Sequence, residues 1–78
     1  MRMPRYYFHI RNHDDQLIED GEGMEFPNDV AALAEAADSA RDLAASAIRE
    51  GRPIARHIEV VSEAGEPLFT FPIRSVIH

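Results

Sequence analysis

Apolar and polar residues follow two different periods along this chain. Over residues 5–11, aromatic and branched residues alternate with polar ones, as in a half-buried strand. Over residues 29–50, apolar residues recur every three or four positions, which is typical of an amphipathic helix. Alternation returns over residues 57–62. The pattern therefore predicts strands on either side of one long helix.

Residues with strong local preferences mark both ends of that helix. Pro27 disfavours a helical conformation of the residue before it, so the helix begins after this position. Asn28 is a favourable N-cap, and Gly51 can adopt the left-handed conformation that follows many helices. Pro53 prevents the helix from continuing. These signals predict a helix over residues 29–50.

The remaining strands form two predicted hairpins. We expect strands over residues 5–11 and 16–19 in the first hairpin, and over residues 57–62 and 68–71 in the second. The resulting class is α+β in the order ββαββ, with the helix packed on one face of an antiparallel sheet. A single domain over residues 1–78 accounts for the whole length. The order of the strands in the sheet stays open.

Two prolines restrict the last strand. In a regular strand the backbone N–H groups at positions 67 and 72 would point to opposite sides, because their direction alternates with period two. Pro67 and Pro72 therefore cannot both face one open edge of the sheet. Either the strand ends at Phe71, or a β-bulge lies between the two prolines. Residues 72–77 are apolar enough to pack against the domain.

The apolar arc of the helix is about twice as wide as one buried face requires. One set of apolar positions forms a continuous stripe, which consists of Val30, Leu33, Ala34, Ala37, Ala44 and Ile48. A second set extends this stripe around one side of the helix, at Ala32, Ala36, Ala40, Leu43 and Ala47. The high helix propensity of alanine explains part of the excess.

The alternative explanation of the wide arc is a second contact, because small side chains let another backbone approach closely. A helix of 22 residues is about 33 Å long, whereas strands of six or seven residues span only about 20–23 Å. We therefore predict a homodimer that forms through a strand edge or through a helix flank. The predicted flank comprises Ala36, Ala40, Leu43 and Ala47.

The composition excludes several classes of function. The 78 residues include no cysteine and no lysine, so disulfides, zinc–thiolate sites and Schiff-base chemistry are excluded. The formal net charge of −6 disfavours binding to the phosphates of nucleic acids. The sequence contains neither an apolar run of bilayer length nor a recognisable signal peptide. We expect a cytoplasmic protein that does not associate with membranes.

Residues that often serve catalysis or metal binding form no recognisable motif here. Acidic residues concentrate in the turns and strand ends of the first third, at Asp14, Asp15, Glu19, Asp20, Glu22 and Glu25. Their spacing differs from that of an EF-hand loop. His9 and His57 could lie on adjacent strands, but partly exposed histidines without a metal are more frequent. We therefore expect no enzymatic activity, no metal site and no cofactor.

The sheet face away from the helix is the candidate partner-binding face. Alternation places on it Tyr7, His9, Arg11, Glu59 and Val61, with Leu68 and Thr70 as candidates from the last strand. A surface that mixes aromatic, arginine and aliphatic side chains can dock a protein or stack on nucleic-acid bases. The acidic net charge favours a protein partner over nucleic acid.

Several short segments resemble those of a family of short bacterial proteins of unknown function. The resemblance extends over nearly the whole chain, and its segments are residues 3–9, residues 17–20 with Gly23, Phe26–Pro27, residues 58–60, residues 63–65 and Phe71–Pro72. The family typically has a Glu-Leu-Pro-like run where this chain has residues 24–27. The resemblance implies a fold, but no activity and no catalytic residue.

A weaker resemblance is to the HicB-type antitoxin domain, a small sheet with one helix that binds a toxin. It rests on the acidic glycine turn, on Phe26–Pro27 and on a helix that ends before Gly51, and it covers the first two-thirds of the chain. We recognise no additional DNA-binding segment of the usual kind within these 78 residues.

We therefore predict a small non-enzymatic interaction or regulatory module that associates with itself. The alternative is an antitoxin-like protein that binds a toxin or nucleic acid through the outer sheet face.

Overall fold

The computed structural model describes residues 3–76 and has the predicted α+β class. The elements of the described residues are β1 (Arg5–Arg11), β2 (Leu17–Ile18), β3 (Met24–Glu25), α1 (Asp29–Glu50), β4 (His57–Ser62), β5 (Pro67–Pro72) and a 3₁₀ helix (Ile73–Val76).

Both predicted ends of the helix are confirmed. The Asn28 side chain accepts a hydrogen bond from the Ala31 N–H at 2.9 Å, as expected of an N-cap. At the other end Gly51 adopts a left-handed conformation with φ of 67°, and the Arg52 N–H donates to the Ala47 carbonyl at 2.9 Å. These local interactions explain why the sequence alone locates the helix.

The sheet is antiparallel throughout its described pairings and has the order β2-β1-β4-β5. β3 also pairs with β1, at the opposite end from β2, with Tyr6 next to Met24 and Ile10 next to Ile18. The edge beside β1 is therefore formed by two short strands separated by a turn. This turn limits β2 to two residues, fewer than the four predicted.

A bulge resolves the alternatives for the last strand. Val60 pairs with Phe69 and Val61 pairs with Pro67, so Leu68 has no ladder partner of its own. β5 continues to Pro72, which pairs with His57. The predicted end at Phe71 is therefore wrong, and the bulge allows both prolines to belong to one strand.

The core lies between α1, the middle of the sheet and the 3₁₀ helix. Its buried members are Tyr6, Ala32, Ala36, Ala40, Ala44, Ile58, Val60 and Ile73. The helix packs mainly on β4, β5 and the 3₁₀ helix, and much less on β1. Residues 72–77 were expected to pack against the domain, and Ile73 does so, because it is fully buried. Ile77 lies outside the described residues.

The helix face that meets the sheet differs from the prediction. Ala36, Ala40 and Ala47 are at most 2% exposed, and Leu43 packs against the core. These four residues were predicted as the self-association flank, and this prediction is wrong. A row of alanines brings the helix close to the sheet, because larger side chains at these positions would hold the two layers further apart. The larger side chains of the sheet then fill the space between the two layers.

One hydrogen bond fixes the N-terminal end of the helix to the sheet. The Tyr6 hydroxyl on β1 donates to Asp29 Oδ1 at 2.7 Å. This hydrogen bond raises the pKa of Tyr6 above its usual value, and burial and the negative charge of Asp29 act in the same direction. The Phe26 ring packs beside it, with ring centroids 6.1 Å from Tyr6 and 5.9 Å from Phe8.

Candidate functional site

The strand register brings all five residues of the predicted partner-binding face together. Tyr7 pairs with Val61, His9 pairs with Glu59, and Arg11 pairs with His57. Directly paired residues in an antiparallel sheet lie on the same face, so these side chains form one surface. Thr70 joins this surface because it pairs with Glu59. Leu68 does not join it, because the bulge turns this residue toward the core.

The centre of this face is a polar cluster whose members bind one another. Glu59 Oε2 lies 2.8 Å from His57 Nε2 and 3.2 Å from both Nε and Nη2 of Arg11. The hydrogen bond from His57 lowers the pKa of the Glu59 carboxyl; burial opposes this effect, and Arg11 reinforces the lowering. The cluster thus satisfies its own charges and offers a partner mainly the rim residues Tyr7 and Val61.

The acidic turn serves the backbone of the edge strands. The Asp20 carboxylate accepts hydrogen bonds from the N–H groups of Phe8, Glu22 and Gly23 at 3.1–3.2 Å. Partial burial raises the pKa of the Asp20 carboxyl, but the three N–H groups outweigh it, so the pKa is lowered. Asp20 therefore holds the turn between β2 and β3 against β1.

The described residues give no support to a metal site. The Asp20 N–H donates to His9 Nδ1 at 2.9 Å, so this ring nitrogen is engaged with the backbone. His57 is engaged with Glu59 on the same face. Within residues 3–76, no three histidine or acidic side chains are grouped so that they could hold a metal ion.

A cleft of about 620 Å³ lies beside the C-terminal end of the helix and contains several basic residues. It is lined by His13, Arg52, Pro53, Ile54 and Arg74. Arg52 pairs with Glu50 at 2.8 Å, and the neighbouring Arg56 pairs with Asp15 at 2.9 Å. Much of the positive charge at this end is therefore already neutralised, and the carbonyl end of the helix lowers the potential further.

A second, more apolar groove lies between the helix and β1. Its volume is about 320 Å³, and it is lined by Phe8, Ile10, Ser39, Asp42, Leu43 and Ile58. The groove exists because the helix lies over β4 and β5 and leaves the inner face of β1 partly uncovered. Sequence reasoning missed it, since the sideways position of a helix on a sheet depends on contacts between distant residues.

One flank of the helix exposes large apolar side chains. Val30 is 76% exposed, Leu33 is 42% exposed and Ile48 is 61% exposed. Together with the exposed Ala34 and the half-buried Ala37 we call them the exposed helix row; all five belong to the stripe recognised in the sequence. Val30 and Ile48 are 18 residues apart, which is five helical turns, so they point in the same direction.

The described helix is not long and apolar enough to cross a membrane. A family model described as a domain of unknown function, DUF6894, matches residues 5–74. The chain belongs to this family. The matched region includes both hairpins and the helix, and it confirms the resemblance to a family of unknown function. Comparisons with curated proteins and with solved structures give no match. The likeness to HicB-type antitoxins stays a prediction.

Proposed function

We propose that this DUF6894 protein is a non-enzymatic interaction module that forms a homodimer through the exposed helix row. The observation that supports the proposal is the exposure of Val30, Leu33 and Ile48 on one flank of one helix. Large apolar side chains that are exposed singly need no explanation, whereas several on one flank of one helix are typical of an interaction surface, even though Arg41 separates Ile48 from the other members of this row.

The row suits pairing with a second copy related by a two-fold axis. In an antiparallel pair centred at the level of residue 39, Val30 lies opposite the partner's Ile48. The row runs parallel to the helix axis, so two such rows stay in contact when the helices cross at a small angle. Ala34 and Ala37 lie between the large side chains and permit a short distance between the axes.

The charges near the centre of the row are compatible with this arrangement. Arg41 lies in the middle of the row and forms an ion pair with Asp38 at 3.0 Å, with both side chains well exposed. In the proposed pair Arg41 is level with the partner's Ala37 and close to the partner's Asp38. The ion pair can therefore be shared between the two subunits, so neither charge is left without a partner.

The size of the molecule also allows such a contact. A stable interface buries roughly 800 Å² on each partner. This is about 15% of the 5248 Å² accessible surface of the structure. A flank about 33 Å long, together with its neighbouring side chains, is of the right order.

Sedimentation equilibrium tests the proposal. The wild type is expected to dimerise, whereas Ile48→Glu and Val30→Glu should each raise Kd by about 30-fold, because each change removes roughly 1 kcal/mol of apolar burial twice per dimer. Met24→Glu is the matched control, since Met24 is 50% exposed on β3 and outside the helix. A wild-type protein that sediments as a monomer at all concentrations would rule the proposal out.

A second candidate function is binding of a toxin or nucleic acid through the outer sheet face. The adjacent Tyr7 and Val61 side chains favour it, because an aromatic–aliphatic pair beside Arg11 suits a protein or a base. The net charge of −6 and the engagement of Arg11 with Glu59 weigh against nucleic acid. Tyr7→Ser should abolish binding of a toxin captured by the wild type while leaving the dimer intact.

The proposal includes a bacterial cytoplasmic setting, which cell fractionation with an antibody against the protein would test.

A further inference from the structure

The groove between the helix and β1 is an apolar surface that this domain leaves partly open. Phe8 and Ile10 on β1 are only half-buried although they share a face with the buried Tyr6. Beyond them Ile18 on β2 is 49% exposed, and it pairs with Ile10. The apolar floor therefore continues from beneath the helix to the edge of the sheet.

The position of the 3₁₀ helix explains why this floor is uncovered. Ile73 is fully buried beneath the other side of α1. It supplies the helix with a large apolar contact on the side of β5, and the helix packs there in preference to β1. Leu43 is the helix residue that reaches back toward β1 and forms the wall of the groove.

The helix wall of the groove carries negative charge. Asp42 lines the groove and is exposed. Ser39 lines it too, and its hydroxyl donates to Glu35 Oε2 at 3.3 Å, which brings a second carboxylate to the rim. Among the described residues that line the groove there is no arginine, and the nearest arginine along the helix, Arg41, is paired with Asp38.

We propose that this groove binds a polypeptide segment of a partner protein that combines apolar side chains with arginine or lysine. The apolar side chains would lie on Phe8, Ile10 and Leu43, and the basic residue would pair with Asp42 or Glu35. An apolar groove with an acidic rim selects such a segment by charge as well as by shape. The groove is partly open to solvent, which suits a peptide better than a small molecule that must be largely enclosed.

The inference is independent of the homodimer, because the groove and the exposed helix row lie on different flanks of α1. Ser39 and Asp42 point about 120–180° away from Val30 around the helix, at 100° per residue. Substitutions of groove residues should therefore leave the dissociation constant of the homodimer unaltered. If they weaken the dimer, the groove is occupied by a second copy and the proposal is overturned.

Selection from a phage-displayed library of random 12-residue peptides tests the inference. The immobilised full-length protein is the target, and the Ser39→Phe variant, in which the ring fills the groove, serves for counter-selection. We expect enrichment of peptides with two or more apolar residues within three positions of arginine or lysine. The absence of enrichment, or enriched peptides without basic residues, would overturn the proposal.

Calorimetry on a synthetic copy of the most enriched peptide adds a quantitative test. Asp42→Asn should weaken binding about two- to fivefold, as expected for an exposed ion pair, and the difference should shrink at high salt. Asp42 is exposed, so this variant retains the fold even if Ser39→Phe does not. Glu66→Gln in the β4–β5 turn is the matched control and should leave affinity unchanged. Equal affinity of the peptide for the wild type and for Asp42→Asn would contradict the proposal that Asp42 pairs with the basic residue of the peptide.

Discussion

Asp20 is the residue around which the first third of the chain is arranged. Its carboxylate accepts three backbone N–H groups from two segments, and its own N–H donates to His9. These hydrogen bonds hold the turn between β2 and β3 against β1, where the ladder to β1 is interrupted. Within the acidic cluster of the first third, the role of Asp20 is thus explained by backbone hydrogen bonds rather than by a bound cation.

Replacing Asp20 by alanine should lower the free energy of unfolding by about 2 kcal/mol, because three N–H groups lose a charged acceptor. Asp14→Ala is the matched control. Asp14 accepts one exposed hydrogen bond from the Gln16 N–H, and its loss should cost less than about 1 kcal/mol. Urea denaturation followed by circular dichroism measures both. Equal effects of the two substitutions would show that Asp20 has no special role.

Stability should fall in acid because of two carboxyls with lowered pKa values. The pKa values of Asp20 and Glu59 are both lowered in the folded protein. Their contribution is present above the ordinary carboxyl pKa of about 4 and is lost as the pH falls through the folded-state values. Thermal melts from pH 6 to pH 2 should show a decline that is smaller in the Asp20→Asn, Glu59→Gln double variant. An identical decline in the wild type and this variant would contradict the assignment.

Gly23 is the second residue of the turn with a defined structural role. Its φ is 69°, and a Cβ at this position would lie 2.8 Å from the Tyr6 carbonyl oxygen and 2.9 Å from Tyr7 Cε1. Gly23→Ala should therefore cost about 2 kcal/mol or more. Gly21→Ala should change stability by less than about 0.5 kcal/mol, since a Cβ there meets nothing within 4 Å. Chemical denaturation distinguishes them, and a neutral Gly23→Ala would refute the close approach.

Among the elements, the helix illustrates what a sequence determines and what it does not. The ends at Asn28 and Gly51 depend on residues within one turn, and they could be predicted. The buried face could not, because the apolar arc offers two flanks of similar size. Ile73 and Tyr6 decide between them by packing from distant parts of the chain. The groove beside β1 could not be predicted from the sequence for the same reason, because it too depends on long-range contacts.

The strands show a similar division. β1 and β4 were predicted with their observed ends because their alternation is regular. β3 is not among the predicted strands, since its two residues pair with β1 through a turn whose geometry depends on Asp20 and Gly23. The bulge in β5 was predicted as one of two alternatives, because the two prolines demand an irregularity without locating it.

The orientation of the helix can be tested by enlarging one alanine on each side. Ala40 is fully buried, so Ala40→Leu should destabilise the protein by about 1–3 kcal/mol through overpacking. Ala45 is exposed, and Ala45→Leu should change the free energy of unfolding by less than about 0.5 kcal/mol. Both are measured by denaturation at low protein concentration. The reverse order of effects would mean that the helix presents its other flank to the sheet.

For the whole molecule, the exposed helix row and the groove are two unpartnered apolar surfaces on one small domain. A domain of 78 residues has a small core, so additional burial against a second subunit is a frequent source of stability. The predicted self-association thus stays a prediction, but a different flank of the helix is now proposed to mediate it. The flank of small residues is buried against the sheet, and the exposed row of large ones now carries the proposal.

Disulfide cross-linking of single-cysteine variants tests this proposal most directly, because the natural chain contains no cysteine. In an antiparallel pair, position 30 lies against position 48 of the other subunit, whereas the two copies of position 30 are about 27 Å apart. Cross-linking requires Cβ atoms within about 4.5 Å. A mixture of Val30→Cys and Ile48→Cys should therefore form the mixed disulfide rapidly under mild oxidation, as measured by mass spectrometry without reductant, while Val30→Cys alone should not. Equal cross-linking of Val30→Cys alone, or none in the mixture, would contradict the account.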